Sequence, residues 1–293
     1  MGYLFLIIAL MAGTLKTYCG KNISKDVSTL KGTFYINMLR MLFCAVIGFL
    51  VVAVADVSSL RIDGATLLIC IVSAISTALF VVTWIICVRN GVLVVVSVFT
   101  MAGMILTILL CNIFFGEEIT LPQCIGVLLL MTSTVTLYLF GDGRKRNIGI
   151  ANLVILILCG VFNGLTDFSQ KWFIHRSPSG SVGVFNFYTY LFALVILAIC
   201  FLVAGKSDGA GNDGKSLKTL AVVGVMATSL FAYSYFKTLA ARTVYAGILY
   251  PFLSGAGFVM STLMAAICFK EKITLKTVVG IVLTVAAIIV IRL

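Results

Sequence analysis

Charged residues are scarce in this chain. Of its 293 residues only 11% are charged, whereas 61% are hydrophobic, and the mean hydropathy is +1.18. A soluble domain carries roughly 25% charged residues, so this chain has too little polar surface to cover itself in water. Apolar runs of about twenty residues recur along its length, and each can cross a hydrocarbon core of about 30 Å. The composition therefore predicts a polytopic membrane protein with no room for a soluble catalytic domain.

Several chemical motifs are also absent from the sequence. The nine cysteines form no CxxC pair, and a single histidine cannot make a metal site with them. There is no GxxxxGK[ST] loop for a nucleotide, and the basic residues are spread over short connections instead of one face. The spans offer no convergent nucleophile and base. We therefore predict no metal, no cofactor, no nucleic-acid partner and no enzymatic activity.

The apolar runs predict helices. Only helices or a closed barrel satisfy the backbone in lipid, and barrel strands of about ten residues would alternate apolar with polar side chains. The runs here are longer and apolar all round. We predict an all-α integral membrane protein with ten transmembrane helices, near residues 3–19, 34–55, 64–87, 91–113, 121–141, 148–169, 182–204, 217–239, 245–268 and 274–292.

One phrase occurs twice in the chain. The segment FFGEEITLPQCIG at 114–126 and the segment CFKEKITLKTVVG at 268–280 align with an offset of 154 residues. Aligned identities include Gly103 with Gly257, Glu117 with Glu271, Thr120 with Thr274, and Gly126 with Gly280. A second similarity relates residues 32–43 to residues 183–194. We infer two repeats of five helices each, at 1–143 and 144–293.

The repeated phrase itself is typical of a helix start. Glu117 precedes the first turn, where the helix dipole favours negative charge, and Thr120 with Gln123 fits a capping box. Its repetition matters more. Because five is an odd number, the second repeat enters the membrane in the opposite sense to the first. Inverted repeats of this kind are the architecture of secondary transporters, whose substrate sites lie near the membrane midplane.

Further residues join the repeated phrase as family markers: GTLK at 13–16, Arg40 and Pro251, beside Glu117 and Glu271 with Gly126 and Gly280. Through these residues the sequence resembles a known family, the drug/metabolite transporter superfamily in its ten-helix form with two EamA-type halves. The resemblance covers essentially the whole chain, and Ser97 is a departure because it stands where a proline matching Pro251 is expected. The superfamily includes carriers of amino acids, sugar phosphates, nucleotide sugars and organic cations, so the resemblance does not fix the substrate.

Ionisable residues within the spans are the first candidates for the site, because they are costly in lipid and face cavities. Arg40 lies about two turns into the second span. Asp167 and Lys171 are four residues apart and can pair on one helix face, although a structural pair of Arg40 with Asp167 is an alternative. Lys16, Lys171 and Lys237 lie near span ends, where lysines also extend to the headgroups.

Polar and aromatic side chains gather on the same spans, although aromatic residues also form interfacial belts. Pro251 and the SGAG segment at 254–257 predict a hinge in the ninth span, formed by Pro251, Gly255 and Gly257. We expect a site between spans one, two, six, seven, eight and nine, with Asp167 as the coupling residue. The predicted substrate-binding residues are Lys16, Asn37, Arg40, Trp84, Asp167, Tyr188, Tyr190, Tyr235, Lys237 and Tyr250.

Three hypotheses for the function follow. The first is a secondary-active transporter of a small polar metabolite, such as an amino acid, a carboxylate or a phosphate-bearing solute. The net charge of +11 and the buried cations favour it. The second is a carrier of organic cations, with aromatic rings as a cage and Asp167 as counter-ion. The third is a membrane scaffold without transport, which the lack of a soluble domain or long tail disfavours.

The orientation predicted from charge conflicts with the resemblance. Fourteen Lys and Arg residues fall on odd-numbered loops and six on even-numbered loops or ends. The positive-inside rule then puts both termini outside, whereas the resembling family has both termini in the cytoplasm, and the side stays open. We predict a monomer or weak homodimer in the cytoplasmic membrane. A proton or an exchanged solute is the expected coupling partner.

Overall fold

Ten helices make up the computed structural model, which describes residues 2–55, 60–90, 93–140, 150–204, 217–269 and 275–292. The helices are α1 (Gly2–Asp26), α2 (Leu30–Ala55), α3 (Gly64–Asn90), α4 (Leu93–Phe115), α5 (Leu121–Phe140), α6 (Ile150–Arg176), α7 (Val182–Val203), α8 (Leu217–Ala240), α9 (Ala246–Phe269) and α10 (Leu275–Arg292). No strand occurs in these ranges. The all-α prediction is confirmed.

Two helices run well past their predicted C-terminal ends. The first was expected to end near residue 19 and reaches Asp26, and the sixth was expected to end near 169 and reaches Arg176. In both cases a polar segment follows the apolar run, and its inward face still packs: Ile23 is buried in the extension of α1, and Phe173 in that of α6. Hydropathy marks the lipid-facing part of a helix, whereas packing decides where the helix ends.

The helices have the properties of a membrane bundle. Seven are long and apolar enough to cross a membrane, and α4, α5 and α10 contain shorter apolar stretches within their described residues. Large apolar side chains lie on the outer surface, among them Ile113, Leu128, Ile157, Leu202 and Ile289. In water such a surface would be unfavourable. The chain is a multi-pass integral membrane protein.

The two repeats interlock about a pseudo-twofold axis. Pairing of α1 with α8 matches pairing of α6 with α3, and α4 with α6 matches α9 with α1. Three contacts join a helix to its own repeat partner: α2 with α7, α4 with α9, and α5 with α10. Single residues follow the same symmetry. Gly126 packs against the carbonyl of Ala287. Their counterparts at the offset of 154, Gly280 for Gly126 and Ser133 for Ala287, are also in contact, because the Ser133 hydroxyl donates to the carbonyl of Gly280 over 2.6 Å. The inverted-repeat architecture is thereby visible in the contacts.

Two ends of the bundle can be distinguished. The terminal end holds the start of α1, the end of α10 and the connections after α2, α4, α6 and α8. Tyr188 of α7 donates from its hydroxyl to the carbonyl of Leu60, in the connection after α2, over 3.0 Å. Arg242, in the connection after α8, donates to the carbonyl of Gly180, in the connection after α6. The opposite end holds the last residues of α1, α3, α5, α7 and α9 and the first residues of α2, α4, α6, α8 and α10. The predicted repeat boundary between 143 and 144 lies outside the described residues.

Candidate functional site

A cavity of about 130 Å³ lies inside the bundle. Helices α1, α2, α3, α4, α6, α8 and α9 line it, so α3 and α4 contribute, whereas α7, which the sequence analysis included, does not. Its described lining consists of Leu10, Gly13, Thr14, Lys16, Thr17, Arg40, Phe80, Val81, Trp84, Ser97, Thr100, Met101, Asn163, Asp167, Tyr233, Tyr250, Leu253, Ser254, Gly257, Phe258 and Ser261. Both repeats therefore supply walls of one polar cavity.

A buried ion pair forms one wall of the cavity. The Lys237 ammonium donates to Oδ1 of Asp167 over 2.5 Å, and the two side chains are only 4% and 9% exposed. The Tyr250 hydroxyl donates to the backbone carbonyl of Asp167 over 2.8 Å, which ties α9 to the same point of α6. Asp167 is thus held in place from α8 and α9 together.

The predicted pairing of Asp167 with Lys171 is wrong. Lys171 instead lies 2.8 Å from Oε1 of Glu117 and donates to the carbonyls of Ala241 and Val244. Four residues on a helix advance the chain by about 6 Å along the axis. Each of the two side chains is paired with a residue outside α6: Asp167 with Lys237 on α8, and Lys171 with Glu117 before α5. The alternative pair of Arg40 with Asp167 does not form either.

Glu117 contacts a different helix from the one the sequence indicated. Its Oε2 accepts a hydrogen bond from the backbone N–H of Ala246, over 2.7 Å, at the first residue of α9. The carboxylate therefore lies at the N-terminus of α9 instead of serving the dipole of α5. The capping box at the start of α5 is present in part, since the Thr120 N–H donates to the Gln123 side chain over 3.2 Å. Glu271 and Thr274 lie outside the described residues.

Lys16 and Arg40 bring two further positive charges to the cavity. The Lys16 ammonium lies 4.2 Å from the centre of the Tyr233 ring, and Lys237 lies 4.6 Å from the same ring. Arg40 is only 3% exposed, and its Nε has no hydrogen-bond partner. Within the described ranges neither Lys16 nor Arg40 forms an ion pair.

The other predicted site residues divide into two groups. Trp84 and Tyr250 line the cavity together with Lys16, Arg40 and Asp167, and Lys237 reaches it through its ion pair. The remaining predicted residues lie elsewhere. Asn37 is fully buried and donates to the carbonyl of Thr33, Tyr188 bonds to Leu60, Tyr190 is buried against Phe231, and Tyr235 stacks on Phe231.

The predicted substrate-binding residues did not include several polar residues of the lining, among them Asn163, Tyr233 and Ser254. A sequence signal for these three existed. Asn163 precedes Asp167 by four residues, Tyr233 precedes Lys237 by four, and Ser254 follows Tyr250 by four. Residues four apart lie on the same helix face, so the neighbours of each ionisable or aromatic candidate were the places to search.

The cavity borders an open contact between α1 and α9. Gly257 of α9 has only one atom within 4 Å of where a Cβ would lie, Cδ1 of Leu10 at 3.9 Å. The equivalent contact of the other repeat, between α4 and α6, is closed. A Cβ on Gly103 would overlap the carbonyl oxygen of Gly160, and Thr107 donates to the carbonyl of Gly164 over 2.9 Å. The two equivalent contacts therefore differ in spacing.

A polar cluster is formed by residues one turn away from the ion pair, Gln170 on α6 and Ser234 on α8, together with Asn186 on α7. The Gln170 amide donates to the Ser234 hydroxyl over 3.0 Å, which in turn donates to Oδ1 of Asn186 over 2.8 Å. Oε1 of Gln170, Nδ2 of Asn186 and the Thr189 hydroxyl have no partner. Buried polar groups of this kind hold water in many proteins. The polar interior thus continues beyond the cavity wall.

Comparison with known proteins decides the family. The profile described as "EamA-like transporter family" matches residues 1–139 and again residues 149–293. The chain belongs to the EamA-like transporter family. The resemblance deduced from the repeated phrase is confirmed, and members of this family are membrane transporters. The matched segments are also the two interlocking halves of the fold.

Solved structures support the same fold. One crystal structure of a protein matches 99% of this EamA-like chain and 95% of its own chain, with a TM-score of 0.76 and 15% sequence identity. At that identity the likeness shows the fold alone. No curated protein matches the chain. The substrate must therefore be argued from the cavity itself.

Proposed function

We propose that this chain is a secondary-active transporter of a small polar metabolite that bears a carboxylate or a phosphate. Arg40 carries the proposal. Its guanidinium is 3% exposed, lines the cavity, and has an Nε without a partner. A buried cation without a partner is costly, and a planar guanidinium matches carboxylate and phosphate oxygens in a bidentate geometry. An anionic substrate group at Arg40 would offset that cost.

The size of the cavity supports a small substrate. Its volume is about 130 Å³, whereas sites for drug-sized ligands occupy about 300–1,000 Å³. Hydroxyl and amide groups of Thr14, Thr100, Asn163 and Ser254 add polar surface to the walls. A compact, polar solute fits these walls better than a large apolar one.

The proposed mechanism is alternating access between the two inverted repeats. The open α1–α9 contact and the closed α4–α6 contact support it, because the repeat makes them equivalent. In the opposite state α4 and α6 would separate while α1 and α9 close. The hinge proposed at Pro251, Gly255 and Gly257 lies on α9, where Gly257 has room to approach α1 and Gly255 packs closely on Leu130 and Ile288.

Asp167 is the coupling residue of this proposal. Among the described lining residues it is the one acidic side chain, and it is paired with Lys237. Protonation of Asp167 would break the pair and leave the Lys237 ammonium without its counter-ion, so binding of a proton would favour binding of a substrate anion in the same cavity. We place the carrier in the cytoplasmic membrane, as a monomer or weak homodimer, without enzymatic activity.

An organic-cation carrier is less well supported. Aromatic rings of Trp84, Tyr233 and Tyr250 do line the cavity. However, the ammonium groups of Lys16 and Lys237 already lie over the Tyr233 ring, and Asp167 is already paired. A cationic substrate would have to displace these cations and would meet the positive charge of Arg40.

Ligand-dependent thermal unfolding of the detergent-purified protein tests the proposal. The ligands are succinate, glycerol phosphate, serine and choline, and a ligand that binds only the folded state raises the melting temperature. We expect stabilisation by a carboxylate or phosphate, its loss in Arg40→Gln, and its retention in Arg176→Gln, a control that removes an exposed positive charge. Stabilisation by choline alone, or unchanged anion binding in Arg40→Gln, would contradict the proposal.

A further inference from the structure

The charges around the cavity do not balance. Three cations, Lys16, Arg40 and Lys237, lie at or beside it, and Asp167 is the one acid of its described lining. The other described acids, Asp26, Asp63, Glu117 and Glu118, lie at helix ends or in connections. Whichever cation Asp167 pairs with, two positive charges remain without a counter-ion in the described part of the chain.

The structure identifies which two cations remain. Lys237 takes Asp167 at 2.5 Å. The Lys16 ammonium lies over the Tyr233 ring, 4.2 Å from its centre, and an aromatic ring offsets only part of the cost of burying an ammonium. Arg40 has no ion pair, and its Nε has no hydrogen-bond partner. The two residues come from different helices, α1 and α2, and both line the cavity.

We propose that the cavity binds a small dianion, a solute with two negative charges such as a phosphate monoester or a dicarboxylate. One set of anionic oxygens would bind the Arg40 guanidinium and the other the Lys16 ammonium. This inference rests on the proposed function and narrows its substrate class. A monoanion leaves one buried cation unmatched, and a zwitterion brings a positive charge of its own, so both match the cavity less well.

The volume limits the dianion further. About 130 Å³ of space accommodates a solute of a few heavy atoms beyond its charged groups, and Lys16 and Arg40 line this same small cavity. The negative charges must therefore lie close together, as they do on a single phosphate or on a short dicarboxylate. The Asp167–Lys237 pair stays intact when such a solute binds, because the solute supplies the missing charges itself.

Matched pairs of ligands test the charge count without any change to the protein. Succinate is compared with monomethyl succinate, and methyl phosphate with dimethyl phosphate, by thermal shift and titration at neutral pH on the detergent-purified protein. Each ester removes one negative charge and adds one methyl group. We expect at least one dianion to bind about tenfold or more tightly than its ester, the ratio that one charge-assisted hydrogen bond supplies.

Variants of Lys16 and Arg40 then test whether these two residues bind the two negative charges of the ligand. In Lys16→Met and in Arg40→Gln we expect the preference for the dianion to fall toward one, while Arg176→Gln retains it. Where a variant does not fold, the wild-type ester pairs decide the question. Equal binding of dianion and ester overturns this inference and leaves the anion carrier standing. Binding of neither anion overturns both, and a preference that persists in both variants contradicts the assignment to Lys16 and Arg40.

Discussion

Two equivalent contacts of the fold have different spacing. Gly103 on α4 and Gly257 on α9 are 154 residues apart and occupy the same position of the repeat. Gly103 is pressed against the backbone of α6, whereas Gly257 faces the cavity with Leu10 at 3.9 Å. Similar sequences thus adopt a closed contact in one half and an open contact in the other. In the proposed mechanism the open and the closed contact exchange between the halves.

A second difference concerns charge. Lys16 on α1 and Asp167 on α6 are 151 residues apart, which is the offset that relates residues 32–43 to residues 183–194. Asp167 is paired with Lys237 at 2.5 Å, whereas Lys16 has no ion pair in the described ranges. The second half therefore supplies a carboxylate that is already paired within the cavity wall, and the first half supplies an ammonium group that can bind a ligand.

The largest expected effect tests this second difference. Asp167→Asn leaves Lys237 buried without its anion, and breaking a buried pair costs about 3–5 kcal/mol. Lys16→Met removes a cation without an ion pair, so we expect no loss of stability or a gain. Thermal and chemical unfolding in detergent measures both variants. The double variant Asp167→Asn with Lys237→Met should recover most of the loss, and similar losses in Lys16→Met and Asp167→Asn would contradict the charge assignment.

The next effect tests the two glycines. In Gly103→Ala the added methyl group would overlap the carbonyl oxygen of Gly160, and overpacking of this kind costs about 1–3 kcal/mol. In Gly257→Ala the methyl group has room, and the alanine gains up to about 1 kcal/mol as a better helix former. The melting temperatures of the two variants are compared directly. Equal shifts in the two variants would show that the contacts do not differ as the structure has them.

Transport measurements distinguish the same two glycine variants. Gly257→Ala fills space that α1 and α9 need when they close, so we expect slower transport in a variant of normal stability. Gly103→Ala opposes the closed α4–α6 contact and should favour the other conformation. Unchanged transport in Gly257→Ala would remove the hinge from the proposal.

The smallest effect lies at the terminal end. A hydrogen bond from the Thr66 hydroxyl, with Arg176 further away, lowers the pKa of the exposed Asp63 carboxyl from its usual value of 3.8. Because the folded pKa lies below the unfolded one, the stabilisation is present above about pH 4 and is lost as the pH falls through the folded pKa. Asp63→Asn should lower the melting temperature slightly at neutral pH, and the two proteins should converge in acid. A gap that persists at low pH would contradict the ionic origin of the effect.

Much of the fold could be predicted from the sequence because its physical causes are local. Apolar runs place the helices to within a few residues, and the repeated phrase gives the two halves. The ends of α1 and α6 were missed because packing of Ile23 and Phe173 extends them beyond the apolar runs. Hydropathy does not report such packing.

The site was less predictable because its pairs join distant parts of the chain. The sequence identified Arg40, Asp167 and Lys237 as buried charges, yet the partner of Asp167 is 70 residues away and that of Lys171 is 54 residues away. Local spacing predicted the wrong pair. The open and the closed contact both involve aligned glycines, Gly257 and Gly103, so the repeat in the sequence does not indicate which half is open.

Counterflow in proteoliposomes tests the central claim most directly. Vesicles loaded with unlabelled succinate or methyl phosphate are diluted into the labelled solute, and uptake is followed for wild type, Arg40→Gln and the control Arg176→Gln. We predict saturable uptake of at least one of these anions by wild type and Arg176→Gln, with loss in Arg40→Gln. Uptake of neither anion by the wild type, or equal uptake by Arg40→Gln, would contradict the account of an anion carrier built around Arg40.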